Sequence, residues 1–126
     1  MAQIPEIHQI LHVLTDRGSK YAVSGGSVRS RADVDLFLKT LKKNKRFAKA
    51  THNTWAVIHS DGGPLKGDDG EGGAGMVILN MLEHEGIKDH VIVVSRWYGG
   101  VKLGGDRFRR VKDSVAAYLE EFRSLI

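Results

Sequence analysis

A run of four apolar residues places the firmest limit on the fold of this chain. Val91, Ile92, Val93 and Val94 follow one another without a polar residue between them. An unbroken run of β-branched residues is typical of a strand that is covered on both faces. The sequence therefore predicts a central strand over 90–95, with other elements packed against both of its sides.

Four further segments show the apolar spacing of amphipathic helices. Ser30, followed three residues later by Asp33, predicts the start of one helix, and Asp106 is placed to cap the last helix. Gly86 is placed to end the third. The predicted helices cover residues 5–17, 31–44, 76–85 and 106–122.

Three shorter segments read as additional strands. Residues 20–28 alternate between polar and apolar, and residues 55–58 form a short apolar run before the hairpin dipeptide Asp61-Gly62. A return strand over 64–66 completes a sheet of three or four strands. Helices covering such a sheet make a two-layer α/β sandwich the simplest packing, in one domain.

Composition excludes several classes of protein. The chain has 126 residues, no cysteine and a net charge of +4. Disulfides, thiolate zinc sites and thiol nucleophiles are thus excluded, and no apolar run approaches the roughly 20 residues that span a bilayer. We expect a cytoplasmic protein that has no membrane partner and no cofactor.

The first candidate for chemistry is the first glycine-rich loop, Gly67 to Gly75, which holds Asp68, Asp69 and Glu71. Three carboxylates so close together repel one another unless a divalent cation, an arginine or backbone N–H groups neutralise them. The alternative is a solvated turn that precedes a helix. The loop alone does not decide between these interpretations.

The second candidate is the second glycine-rich loop, Ser95 to Arg107, which follows the predicted central strand. Its four glycines let backbone N–H groups approach an anion, and Arg96, Lys102 and Arg107 can add charged hydrogen bonds. The spacing fits neither the P-loop nor the dinucleotide-binding fingerprint. The alternative is that Arg96 pairs internally with a carboxylate of the first loop.

His52 and the lysine-rich segments are weaker candidates. His52 could act as a general base or ligand, but a lone histidine at a strand start is more often a hydrogen-bonded structural residue. The basic segments fit a polyanion such as RNA, or a solvated helix face, since no aromatic stacking platform accompanies them. The candidate basic patch comprises Lys39, Lys42, Lys43, Lys45, Arg46, Lys49, Arg109 and Arg110.

Taken together, three blocks resemble the IMPACT family, including its bacterial YigZ-like branch. The blocks are Ala50–Asn53, Asp68–Gly75 and Val93–Phe108. The amino-acid sequences of these blocks are more similar to the eukaryotic branch of the family than to the bacterial one. The resemblance implies an α+β two-layer fold like the second domain of a small-subunit ribosomal protein, with a left-handed β-α-β crossover.

For function, the resemblance implies a regulator of translation under stress that acts by binding proteins. Eukaryotic members compete for the activator of a starvation-responsive initiation-factor kinase, and they bind actin. In those members a separate RWD domain precedes the family domain, whereas here we expect a helical extension over 1–18 and the family domain over 19–126. Partners in the translation stress response or the cytoskeleton are implied, with RNA as a less favoured partner.

We expect the two loops to form one polar groove, in which Arg96 lowers the pKa values of the carboxylates. Three hypotheses follow. The chain is a non-enzymatic binding module, a metal-assisted hydrolase or phosphoryl-handling enzyme whose metal is held by Asp68, Asp69 and Glu71, or a protein that binds RNA or the ribosome through its basic helix faces. The candidate groove comprises His52, Asn53, Asp68, Asp69, Gly70, Glu71, Gly75, Arg96, Tyr98, Gly99, Gly100, Leu103, Gly104 and Arg107.

Overall fold

The predicted central strand lies in the middle of a five-stranded antiparallel sheet of order β1-β2-β5-β3-β4. The structure is a computed structural model and describes residues 4–126. Its elements are β1 His8–Asp16, β2 Ser19–Ser27, α1 Arg31–Lys43, α2 Lys45–Ala48, β3 His52–His59, β4 Gly63–Gly67, α3 Ala74–Glu85, β5 His90–Trp97 and α4 Asp106–Phe122. A short 3₁₀ turn over Arg123–Leu125 follows α4.

Two separate apolar cores cover the two faces of the sheet. On one face, Val91 and Val93 of β5 pack against α1, which contributes Phe37, and against α2. Ile92 and Val94, which point to the opposite face, pack with α3 and α4. The α+β class is confirmed, but the helices form layers on both faces, so the molecule has three layers rather than the predicted two.

Two crossover connections join parallel strands that have one strand between them. The first runs from β2 through α1 and α2 to β3 around β5, and the second runs from β4 through α3 to β5 around β3. Strands β4 and β5 run antiparallel to β2 and β3. The second crossover also moves across the sheet in the direction opposite to that of the first. Because α1 and α3 cover opposite faces, the two crossovers have opposite hands. One of them is left-handed, as the resemblance implied.

The predicted N-terminal helix is wrong. Residues His8–Asp16 form β1, which pairs with β2 and supplies the fifth strand, while residues 1–3 of the predicted extension lie outside the described residues. The pairing shifts register between Ile10, opposite Val23, and Leu14, opposite Tyr21. The helix was predicted from the spacing of Ile7, Leu11 and Leu14. In the structure these residues do not share one face, because Ile7 packs in the core below α1, Leu14 packs in the core below α4, and Leu11 is exposed.

Helix ends follow the local signals with one exception. Ser30 Oγ accepts a hydrogen bond of 3.2 Å from the N–H of Asp33 at the start of α1, and Gly86, with φ +66°, ends α3. The exception is Asp106, which is the first residue of α4 and does not cap it. Its carboxylate instead accepts a 2.6 Å hydrogen bond from Arg17 in the β1–β2 turn.

Within residues 4–126, every helix is too short or too polar to cross a membrane.

Candidate functional site

The strand register brings Arg96 and His52 side by side at one end of the sheet. Arg96, near the end of β5, lies opposite Tyr21 of β2 on one side and opposite His52 of β3 on the other. The first glycine-rich loop joins β4 to α3, and the second joins β5 to α4. Both loops therefore reach the same end of the molecule as these two side chains.

A buried ion pair between the loops forms the centre of the site. Glu71 is 4% exposed and Arg96 is 6% exposed. Arg96 Nη1 donates to both carboxylate oxygens of Glu71, at 2.8 and 3.2 Å, and its Nε and Nη2 donate to Ser19 Oγ at 3.3 Å. The rings of Tyr21 and Tyr98 lie 5.9 and 5.8 Å from the guanidinium carbon. Of the pairings left open by the sequence, Arg96 adopts the one with Glu71.

Arg107, in the first turn of α4, connects the two loops directly. Its Nε lies 3.3 Å from Glu71 Oε1. Its Nη1 donates to the carbonyl of Gly104 at 2.9 Å, and its Nη2 donates to the carbonyl of Gly72 at 3.5 Å. One side chain thus holds a backbone carbonyl from each loop as well as the buried carboxylate.

Both ring nitrogens of His52 face acceptors. Nδ1 lies 2.8 Å from the carbonyl oxygen of Asp69, and Nε2 lies 3.1 Å from Glu71 Oε2. A carbonyl oxygen only accepts, so Nδ1 carries a hydrogen. Both ring nitrogens thus face partners inside the protein, and His52 is a structural part of the cluster.

Asp68 and Asp69 bind backbone N–H groups of the chain itself. Asp68 accepts from Gly73 at 3.0 Å and from Gly75 at 2.8 Å. The N–H of Gly73, followed by that of Gly75, holds the pKa of Asp68 below its usual range, which corrects the expectation that Arg96 does so. Asp69 Oδ2 accepts from the N–H of Asn53 at 2.7 Å.

The three carboxylates of the first loop do not converge on a common point. Each is directed at a different partner, and residues 4–126 contain no group of three histidine, aspartate or glutamate side chains placed to hold a metal ion. Asp68, Asp69 and Glu71 therefore do not form the metal site that the sequence left open. Backbone N–H groups and arginines neutralise them instead.

The groove between the loops has a volume of about 300 Å³. Its lining residues are His52, Gly70, Glu71, Gly72, Arg96, Tyr98, Lys102, Leu103, Gly104 and Arg107. Asn53, Asp68, Asp69, Gly75, Gly99 and Gly100, which the sequence also proposed, are not among them. Asn53 lies beneath the groove, where its side chain donates to the carbonyl of Phe47 and accepts from Ser95 Oγ.

The predicted groove left out Gly72 and Lys102, which line it, and sequence reasoning missed Ser19 entirely. Its buried hydroxyl accepts from Arg96 and from the N–H of Gly99, so it supports both the ion pair and the second loop. Nothing around Ser19 in the sequence marks it, because its role depends on the pairing of β2 with β5.

The predicted basic patch is divided between the two faces of the sheet. Its first six residues lie on α1, α2 and the turns that end them, where Arg46 stacks on Trp97 at 4.9 Å. Arg109 and Arg110 lie on α4, across the sheet. Arg110 is also paired with Asp16 at 3.2 Å and Asp113 at 2.8 Å. The eight residues therefore cannot form one binding surface.

Fold and site together define an α+β domain with helices on both faces of an antiparallel sheet and a polar groove between two glycine-rich loops. Residues 17–119 match the family described as the Impact N-terminal domain, and the chain belongs to that family. The IMPACT homologue of Caenorhabditis elegans is 38% identical over 116 residues, which are 86% of this chain and 45% of that protein. Human IMPACT is 35% identical, over 94% of this chain and 39% of that protein.

Solved structures agree with this assignment. A crystal structure of a hypothetical protein superposes with a TM-score of 0.72 over 93% of this chain and 56% of its own, and at 21% identity it supports the fold alone. The two-domain translational regulator Yih1 superposes with a TM-score of 0.54 at 29% identity, over 86% of this chain and 44% of its own. This chain thus spans less than half the length of the curated relatives named above.

Proposed function

We propose that this chain is a protein-binding module that regulates translation under stress, and that its contact surface is the groove and the rim around it. Membership of the Impact N-terminal domain family supports a regulatory role, as does the similarity to Yih1, which is described as a translational regulator. The proposed target is the activator of the starvation-responsive initiation-factor kinase, which the chain would keep from that kinase.

The observation that carries this proposal is that the groups suited to catalysis are already bound internally. His52 and Arg96 both contact Glu71, while Asp68 and Asp69 bind backbone N–H groups. A general base needs a free lone pair within reach of substrate, and a metal site needs converging ligands. Side chains fixed by mutual hydrogen bonds instead offer a preformed surface for recognition.

The rim of the groove offers apolar and cationic contacts to a partner. Tyr98 is 46% exposed and Val101 is 48% exposed, and the exposed Lys102 follows them in the second loop. Aromatic side chains contribute much of the energy of protein interfaces, while a rim lysine favours an acidic partner. We define these three residues as the groove rim.

The test is to express the full chain in amino-acid-starved cells and to measure phosphorylation of the initiation factor. We expect the wild-type chain to lower phosphorylation, and the triple variant Tyr98→Ala, Val101→Ser, Lys102→Ala to lose this effect. The control is Met76→Ser with Lys112→Ala, since these are also an exposed apolar residue and an exposed lysine, on α3 and α4 away from the rim. This control variant should lower phosphorylation of the initiation factor as much as the wild-type chain does.

Two outcomes would count against the proposal. One is unchanged phosphorylation with the wild-type chain present and folded. The other is a rim variant as active as the control, which would move the contact surface elsewhere on the molecule.

A further inference from the structure

We propose that the groove binds a phosphate group, carried by a small phosphorylated ligand. The proposal goes beyond the role in translation and does not depend on it, because it concerns the charge and shape of the groove alone. It makes the groove a ligand site in its own right.

Positive charge in the groove exceeds negative charge by two. Arg96, Arg107 and Lys102 line it, whereas Glu71 is the only acidic side chain in the lining. Asp68 and Asp69 do not line the groove, and their carboxylates accept from backbone N–H groups. Such a surplus in a concave, partly buried site attracts anions.

The excess of two positive charges in the groove lining favours a phosphate ligand over a carboxylate ligand. A phosphate monoester carries about −1.5 to −2 charges at pH 7, which matches an excess of two positive charges. One carboxylate supplies a single negative charge and leaves the other cation uncompensated. Guanidinium groups also match the geometry of phosphate oxygens.

Lys102 is the donor available for such a ligand. Arg96 and Arg107 already donate to the protein, but Lys102 makes no ion pair or side-chain hydrogen bond within the part of the chain that the structure describes, and it is exposed at the groove. Its flexible ammonium group can reach an anion in the groove without breaking an existing contact.

The backbone of the first loop leaves space for the ligand at Gly72. A Cβ at Gly72 would meet no atom within 4 Å, and its φ lies outside the left-handed region that favours glycine. Neither backbone conformation nor packing therefore requires glycine at this position. Gly72 lines the groove and is exposed, so its backbone is accessible to a ligand.

The test is an NMR titration of the full chain at pH 7.5 with phenyl phosphate and, separately, with benzoate. These probes share an aromatic ring and differ in the anionic group. We expect phenyl phosphate to shift the amide signals of Gly70, Gly72 and Gly104, and to bind at least about tenfold more tightly than benzoate. Binding should weaken as salt is added.

Variants locate the site. Lys102→Ala should weaken phenyl phosphate binding about five- to tenfold, whereas Lys112→Ala, on α4 outside the groove, should leave it unchanged. Equal affinity for benzoate, shifts centred on α1 and α2 instead of the groove, or no effect of Lys102→Ala would each overturn the proposal. None of these results bears on phosphorylation of the initiation factor, so the two proposals fail separately.

Discussion

Glu71 is the side chain around which the candidate site is organised. It is almost fully buried, and it is the common partner of Arg96 at 2.8 Å, of His52 at 3.1 Å and of Arg107 at 3.3 Å. Removing one partner of a buried ion pair leaves the other charge desolvated and uncompensated. The stability of the site should therefore depend on this one carboxylate.

We predict that Glu71→Gln lowers the free energy of unfolding by about 3 to 5 kcal/mol, because Arg96 loses the carboxylate that pairs with it. Urea denaturation at pH 7 measures the change. Asp35→Asn is the matched control, since Asp35 pairs with Arg31 on the exposed face of α1 with 60% of its side chain accessible. Asp35→Asn should lower the free energy of unfolding by less than about 0.5 kcal/mol. Similar costs for the two variants would contradict the account.

His90 is a second residue whose burial has a measurable effect. It is 2% exposed, its Nε2 lies 2.7 Å from the hydroxyl of Tyr118, and burial lowers its pKa to about 4, with a smaller contribution from His8. The unfolded chain, in which a histidine has a pKa near 6.5, takes up this proton first as pH falls. Stability is therefore lost as pH falls from about 6.5 through 4.

We predict that His90 contributes about 2 kcal/mol of this loss between pH 7 and pH 4.5. Urea denaturation at the two pH values measures it. His90→Gln should reduce the difference between the two values, while His12→Gln, at an exposed position of β1, should leave it as in the wild type. Identical pH dependence in all three proteins would show that His90 is not the group responsible.

At the scale of elements, the sequence predicted the helices and inner strands well because each has its own local signal. Ser30 and Asp33 start α1, and the run from Val91 to Val94 marks β5. β1 was predicted as a helix because Ile7, Leu11 and Leu14 recur at helical spacing. Pairing with β2 selects the strand. The two strands are joined by the two-residue turn Arg17-Gly18, in which both residues have positive φ, but a glycine at this position is equally typical of a helix end.

The second glycine-rich loop packs on the β1–β2 turn through glycine backbones. A Cβ at Gly99 would lie 2.0 Å from the carbonyl carbon of Gly18, which is too close for any side chain. The N–H of Gly99 also donates to Ser19 Oγ at 3.3 Å. Gly99 thus fixes the position of this loop against the sheet.

We predict that Gly99→Ala lowers the free energy of unfolding by about 2 to 3 kcal/mol, because the two backbones must separate. Gly105→Ala is the matched control, since Gly105 has φ −64° and open space at its Cβ position. It should change stability by no more than about 1 kcal/mol. Thermal or urea unfolding of the two variants measures both effects, and equal stabilities would contradict the close approach.

At the scale of the whole molecule, the sheet brings the separate parts of the site together. His52 and Arg96 are 44 positions apart in the sequence but are neighbours because β3 pairs with β5. Sequence reasoning could name both glycine-rich loops and, from residue types, Asp68, Asp69 or Glu71 as the partner of Arg96, without deciding among the three. It could not derive Arg107 as the bridge or Ser19 as the support, since both depend on strand order and crossovers that no local pattern encodes.

The central claim is that the two loops form one groove connected by Arg107, and hydrogen exchange of the Arg107→Met variant tests it most directly. The control is Arg109→Met, an exposed position on the same helix. We predict that amides of residues 68–73 and 98–105 both exchange faster in Arg107→Met, while α1 and the control stay at wild-type rates, because Arg107 holds the carbonyls of Gly72 and Gly104. Faster exchange in one loop, with the other as protected as in the wild type, would show that the loops are independent and would contradict the account.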